Sequence, residues 1–367
     1  MHSPLQAPNA DIDKYVKRYE AGWDRIRSER YQRQVQMGLV PAGLTLPKAV
    51  MARKWADLSD KERREYAKRM AVFAGMLDSA DQEVGRLRAY LAKSGQLDNT
   101  VFIVMSDNGA DPYDLAKLNL PFKLWYRVNF ALGYDTLGQK GSYVHYGQDW
   151  AEVSNTPFAL FKGTSGAGGM RVPFIVSVPG RGKAGAVNSQ FAFATDFLPT
   201  VLDIAGIALP GDDYGGKKLH RPTGKSLLAS LDDTAAVIHP PTEAIGFEST
   251  GGVAVFKGDY KLMRNTPPYG DGSWRLVNHA LDPTEASDLT ASQPAVLKDL
   301  QAEFQNFVRV NGVVEPPADY VGTRQVLKNN LPILLRQLGG ILAAALAALL
   351  VVAWGLWRWR RRSVRRR

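Results

Sequence analysis

Thr100-Val-Phe-Ile-Val-Met-Ser-Asp-Asn-Gly109 is the stretch on which the fold turns. Its first six residues are apolar or β-branched with no polar alternation, the pattern of a strand buried on both faces of a parallel sheet. The run stops abruptly at Ser106-Asp107-Asn108-Gly109. Upstream, Ser59-Asp-Lys-Glu62 reads as a capping box. It opens an amphipathic helix with apolar positions at Met70, Phe73, Leu77, Ala80, Val84, Leu87 and Leu91, alternating three and four apart, and Gly95 is placed to end it. A helix leading into a buried strand is a crossover unit of an α/β protein. A second strand of the same kind, Pro173-Phe-Ile-Val-Ser-Val178, stops at Pro179-Gly180. The loop between the two strands is long and rich in Gly, Asn, Tyr and Trp, and loops of that length inside a domain are usually functional.

Farther along, Thr195 to Gly206 has a helical pattern, and the composition then shifts to Gly, Pro, Asp and His. Short alternating strands follow at Val253–Phe256, Tyr260–Met263 and Trp274–Val277, divided by Gly-Asp and Pro-Pro-Tyr-Gly turns, as in an antiparallel sheet. Leu297–Val310 is an amphipathic helix suited to pack on that sheet. The expected division is therefore an α/β domain over 1–209, a small α+β subdomain over 210–313 and a linker over 314–337.

Leu338–Trp357 is 20 residues without a charge. At ~1.5 Å per residue it matches the ~30 Å hydrocarbon core, so a transmembrane helix is expected there. Trp354, Trp357 and Trp359 lie at one end, and residues 358–367 hold seven arginines, which predicts a cytoplasmic tail and an extracytoplasmic globular part. Export of that part needs a leader. Residues 1–30 are polar and charged, so the chain is expected to continue upstream.

With 367 residues and 45% hydrophobic content the chain can bury a full α/β core. The absence of cysteine excludes disulfides, zinc–thiolate sites and a thiol nucleophile. Seven of the ten net positive charges sit in the C-terminal tail, so no basic face for nucleic acid is expected.

Asp107 and Asn108 stand at the C-terminal end of the first strand, the edge where open α/β sheets bind ligands. Two adjacent side-chain oxygens suit a hard cation such as Ca²⁺ or Mg²⁺; an Asn-Gly turn closed by an Asx bond reads the same residues equally well. Lys162 precedes a Gly-rich loop ending at Gly169, where an ammonium beside backbone N–H groups suits an anion, though a solvated loop lysine fits too. Other matches carry less. Gly224-Lys225-Ser226 lacks the first glycine of a phosphate-binding loop. Ser177-Val-Pro-Gly-Arg181 lies at a strand end, and His145, His220, His239 and His279 lack metal-ligand spacing and an obvious acidic partner.

In this order the segments resemble the bacterial arylsulfatases of the sulfatase family. His2-Ser-Pro-Leu-Gln-Ala-Pro8, Lys14–Gly22 and Gly38-Leu-Val-Pro41 are similar to the stretch after the family's active-site histidine. Ser106–Gly109 is similar to its strand-end metal motif, and Ser142–Gly147, Lys162 and Gly168–Pro173 to its sulfate-binding lysine region. Asp196–Leu202 and Asp282–Leu289 continue the likeness, which covers residues 2 to 313.

The resemblance implies an alkaline-phosphatase-like fold: a mixed or parallel sheet between helices, incomplete here, with a small C-terminal antiparallel sheet. It implies sulfate-ester hydrolysis by a formylglycine hydrate, with Ca²⁺ or Mg²⁺ neutralising the sulfate. Carried over by position, Asp107 and Asn108 would be two metal ligands, His2 would contact the sulfate and protonate the leaving oxygen, and Lys162 would hold a sulfate oxygen. The family's paired aspartates, its formylglycine precursor (a Cys or Ser in a Cys/Ser-x-Pro-x-Arg motif, matched by Ser177–Arg181 only far from the expected place) and a further Lys and His precede the histidine motif with which this chain begins. An inactive fragment is therefore expected. The rival readings are a membrane-anchored, non-catalytic pseudosulfatase that binds anions, and a phosphodiesterase or phosphatase of the same superfamily.

Overall fold

The computed structural model describes residues 3–48, 53–114, 120–209, 211–317 and 319–364. Helices α1 (Asn9–Tyr19), α2 (Trp23–Gln36) and α3 (Asp60–Lys93) lead into strand β1 (Phe102–Met105). Helices α4 (Leu120–Asn129), α5 (Gln148–Ser154) and α6 (Ala167–Met170) precede strand β2 (Phe174–Ser177) and helix α7 (Phe197–Ile204). A two-residue hairpin of β3 (Asp213–Tyr214) and β4 (Lys217–Lys218) and the short α8 (Leu228–Asp232) come next. Strands β5 (Ala244–Ser249), β6 (Gly252–Lys257), β7 (Tyr260–Arg264) and β8 (Arg275–Asn278) form an antiparallel meander in chain order, followed by α9 (Pro294–Asn311) and α10 (Gly322–Val364).

The ends of α3 follow from local chemistry. Ser59 Oγ accepts from the Glu62 amide at 3.4 Å, and the Glu62 carboxylate accepts from the Ser59 amide at 3.0 Å. At the other end Gly95 takes a left-handed φ of 69°. There the Gln96 amide donates to Leu91 O at 2.8 Å and the Gly95 amide to Ala92 O at 3.1 Å, a Schellman closure. The helix is buried only through its first half. Gly75 lies against the α1 backbone, where a Cβ would stand 2.9 Å from the Ile12 nitrogen, so the two helices cross at close range. Ile12, Trp23, Ile26, Tyr66, Met70, Val72, Trp150 and Phe161 share this helical core. Beyond Gly75, Leu77, Val84, Leu87 and Tyr90 face out.

The C-terminal unit has its own core, with Val253, Val255, Leu262 and Leu276 of the sheet packed on Leu300 and Phe304 of α9. Truncating one such side chain to alanine costs about 2–5 kcal/mol. Strand β5 escapes the alternating pattern because Gly246 interrupts it; Phe307 of α9 fills that space, and a Cβ there would be 2.2 Å from the ring.

Two expectations are corrected. The strands at 102–105 and 174–177 are not parallel neighbours in a buried sheet; they pair antiparallel as a two-stranded ribbon, Phe102 opposite Ser177 and Met105 opposite Phe174. The long excursion between them brings the chain back in the opposite direction, so no crossover connects them. The ribbon is also not buried, since Val104, Met105, Phe174 and Ile175 are all exposed. The fold is a mixed α/β arrangement.

The second correction concerns the membrane. Among the described residues no helix is long and apolar enough to cross one, so the transmembrane helix at Leu338–Trp357, the membrane partner and the single-pass localisation with a cytoplasmic tail are overturned. The apolar run is not a separate span after a linker. It is the second half of α10, whose first half carries Arg324, Lys328, Asn329, Asn330 and Arg336, buries Leu334 and packs against α4.

Two outcomes follow. The open ribbon and the outer half of α3 present apolar surface beside unpaired strand edges, so the chain should self-associate during size-exclusion chromatography. Charges placed opposite each other by V104K and I175K should raise the monomeric fraction; unchanged aggregation would exonerate the ribbon. Asp11 is held down to about 2 from an ordinary 3.8, first by the hydrogen bond from Lys14 and then by those from Ser79 and Gln82. A depressed carboxyl contributes stability that is present above its unfolded value and lost as pH falls through its folded one. D11N should therefore melt below the wild type at pH 6, with the gap closing between pH 4 and 2 in thermal scans.

Candidate functional site

The site is built by backbone contacts between two segments some fifty residues apart. Past β1, the Ser106 amide donates to Pro173 O at 3.3 Å, and the Gly109 amide donates to Gly169 O at 3.0 Å. One residue on, the Ala110 amide donates to Asn155 Oδ1 at 3.0 Å, and Ala110 O accepts from the Lys162 amide at 3.0 Å. Asn155 turns its other end to Leu160 O at 3.0 Å, so one buried-edge side chain ties both segments. The approach is possible only for glycine: a Cβ on Gly109 would lie 1.8 Å from Gly168 O, and one on Gly168 would lie 2.2 Å from Leu160 O. The structure thus brings Asp107, Asn108 and Lys162 into one neighbourhood. His2 lies outside the described residues.

Asp107 is exposed, and Asn108 is half-buried beside it. The Asn108 side-chain amide donates to the Asp107 carboxylate, which holds that carboxyl below the usual range, and the Lys162 charge acts in the same direction. Asn108 Oδ1 is buried and accepts no hydrogen bond. An ionised carboxylate next to an orphaned carbonyl oxygen fits a hard oxygen-seeking cation as two of its ligands. Among the described residues no group of three or more His, Asp or Glu side chains completes such a shell.

The loop that carries Lys162 is anchored on the C-terminal sheet. Thr250 Oγ1 donates to Gly163 O at 3.3 Å, the Ser165 amide donates to Asn265 Oδ1 at 2.8 Å, and the Ala167 amide donates to Glu285 Oε2 at 2.8 Å. On the helical side, Phe161 is fully buried and meets the Tyr269 ring edge-on at 4.9 Å.

Ser177 of the Ser-x-Pro-x-Arg pattern does not join the site. It pairs with Phe102 at the far end of the ribbon, three ladder positions or about 10 Å from Met105. It does not fit a formylglycine precursor acting beside Asp107.

Other buried polar residues have partners that the sequence did not reveal. His145 is buried, with Nδ1 2.7 Å from Ser3 Oγ and its ring stacked on Tyr113 at 5.3 Å. Tyr146 Oη accepts from the Asp111 amide at 3.1 Å, and burial pushes its phenol far up, so it stays protonated. His239, read from sequence as lacking an acidic partner, has two: Asp196 at 2.9 Å on Nε2 and Glu243 at 3.0 Å on Nδ1. Glu243 is four residues away and was findable; Asp196 was not. Lys225 closes this network on Glu243 at 2.6 Å and holds that carboxylate down together with His239, against the burial that raises it. The network ties the start of α7 to the approach to β5, away from Asp107.

The Sulfatase family model matches residues 1–207. The chain is 33% identical over 327 residues to an uncharacterized sulfatase of Schizosaccharomyces pombe, covering 87% of this chain and 58% of that protein. It is 33% identical over 229 residues to an arylsulfatase of Klebsiella aerogenes, covering 62% of this chain and 49% of that one. Among solved structures, that of Ps i-CgsB superposes with a TM-score of 0.50 at 21% identity, over 83% of this chain and 47% of its own. The chain thus spans about half the length of the relatives it matches. With the family model covering more than half of the sequence, the chain belongs to the sulfatase family.

Proposed function

We propose that this chain supplies the sulfate-holding lysine and two of the cation ligands of an arylsulfatase-type sulfuric ester hydrolase acting on a sulfated small molecule. The observation that supports the reading is the backbone clasp that ties the segment of Lys162 to the segment that follows Asp107 and Asn108. An ammonium near oxygen donors for a divalent cation is electrostatic preorganisation for a tetrahedral anion. The cation, Ca²⁺ or Mg²⁺, would neutralise sulfate charge when bound. Asp107 and Asn108 hold it, Lys162 takes one sulfate oxygen, and His2 is assigned to the leaving oxygen by resemblance. The K. aerogenes relative is an arylsulfatase, which favours an aryl ester.

Sulfatase chemistry uses a covalent intermediate on formylglycine. The Ser-x-Pro-x-Arg pattern at Ser177 is remote from Asp107. The chain by itself is therefore proposed to bind sulfate without turning over an ester.

Three measurements test this. Purified chain with Ca²⁺ and a chromogenic aryl sulfate should give no turnover above background; turnover abolished by S177A would make Ser177 the nucleophile. In NMR titration with inorganic sulfate, K162A should weaken binding about tenfold, or ~1.4 kcal/mol; equal affinity in K162A, or tighter binding of inorganic phosphate than of sulfate, would overturn the reading. Because Asp107 stays ionised below the ordinary carboxylate range, Ca²⁺ binding should survive acidification to about pH 4 and vanish in D107A by calorimetry. Loss of binding near pH 6 would point to histidine ligands instead.

A further inference from the structure

We propose that Glu285 and Lys261 are positioning residues for the sulfate-binding loop, an inference that rests on the reading above. Lys261 sits in the middle of β7, opposite Phe256 and Val277, with Nζ 2.5 Å from Glu285 Oε1. Both side chains are 1% exposed. Taking two charges out of water is costly, and apolar residues of similar volume usually stabilise as well or better. An ion pair in this place calls for a role other than stability.

The second carboxylate oxygen supplies one. Glu285 Oε2 accepts the Ala167 amide at 2.8 Å, and Ala167 begins the turn whose next two residues, Gly168 and Gly169, clasp Gly109. Lys261 neutralises and orients the carboxylate; Glu285 fixes the loop; the loop fixes both Lys162 and the backbone next to Asn108. Four residues beyond Lys261, Asn265 at the end of β7 holds the same loop at Ser165, a second point of attachment. Glu285 itself is held in the left-handed region at φ 57°, uncommon for a residue with a Cβ, with its carbonyl accepting from Arg275 at 3.0 Å. The C-terminal sheet therefore acts as the jig that sets the distance between the lysine and the metal motif.

The roles of charge and of hydrogen bond are separable. K261M/E285L removes both charges at similar volume and should melt close to the wild type, yet bind inorganic sulfate about tenfold more weakly, the size of effect seen when a supporting partner of a site is lost. K261M/E285Q keeps a neutral acceptor for the Ala167 amide and should recover most of that loss. A167P, at the first position of the turn, replaces the donor by a ring carbon that turns Glu285 Oε2 away; Gly166 at φ −69° and ψ 159° already has the backbone that a following proline demands. It should weaken sulfate binding as K261M/E285L does. Hydrogen exchange at the Gly109 and Gly169 amides should quicken in K261M/E285L and A167P, while β6 and β7 amides stay protected.

Wild-type sulfate affinity and wild-type exchange at Gly109 in either of those variants would overturn the proposal, as would failure of K261M/E285Q to recover affinity at unchanged melting temperature. K162A separates this from the sulfate reading. If K162A binds sulfate as the wild type does, that reading falls, and the exchange rates alone decide whether the clamp exists. If K162A loses binding and A167P does not, the site stands and the clamp falls.

Discussion

The contact of Gly109 with Gly168 and Gly169 is the constraint on which the site depends. Each of the three positions is closed to a side chain by a backbone carbonyl within 2.6 Å of where a Cβ would stand. The hydrogen bonds that accompany the contact are worth only ~1 kcal/mol each net. Their strength therefore does not explain the geometry; at Gly109 only bare backbone lets the two segments come so close, and Gly168 and Gly169 are closed by carbonyls of their own loop. Asp107 and Asn108 inherit their position from the residue that follows them.

That contact has a foundation on either side. Phe161, directly before Lys162, is buried in the helical core, and Ser165 and Ala167 are bonded to the C-terminal sheet. The lysine loop thus lies between two independently packed bodies, and its ends are held by both. Loops that carry function are useful when a rigid scaffold aims them. Here the scaffold includes a sheet that supplies no ligand of its own. This gives the small C-terminal unit a physical connection to the chemistry on the other domain, through Asn265 and Glu285 rather than through any residue that touches substrate.

What was legible in the sequence was local. The capping box at Ser59 and the glycine at 95 delimit α3 because their partners lie within five residues. The strands of the meander read correctly wherever alternation was unbroken, and β5 did not, because Gly246 makes room for a ring 61 residues later in the chain. The Ser-Asp-Asn-Gly motif announced itself by residue type. The groups that hold it in place, Asn155, Glu285 and Lys261, did not, since an isolated Asn, Glu or Lys has no period and its partner is distant in sequence. Strand direction was equally hidden: a uniformly apolar run says that both faces want cover, not which neighbour provides it or which way that neighbour runs. For Leu338–Trp357, a charge-free run of spanning length was read as a separate element, whereas it continues a helix that begins at Gly322.

The ribbon and the clasp differ in a way that matters for how Asp107 is placed. A two-stranded ribbon of four-residue strands with open edges is marginal on its own, and both of its faces are exposed here. It cannot by itself hold a carboxylate within the few tenths of an ångström that the proposed cation site requires. The backbone bonds from Ser106, Gly109 and Ala110 to Pro173, Gly169 and Asn155 hold the strand end instead. In this chain the rigid part of the site is therefore the loop-to-loop junction, and the strand is the element that needs support. Positional precision at Asp107 is set from the side of the lysine loop, which the buried ion pair of the C-terminal sheet keeps in register.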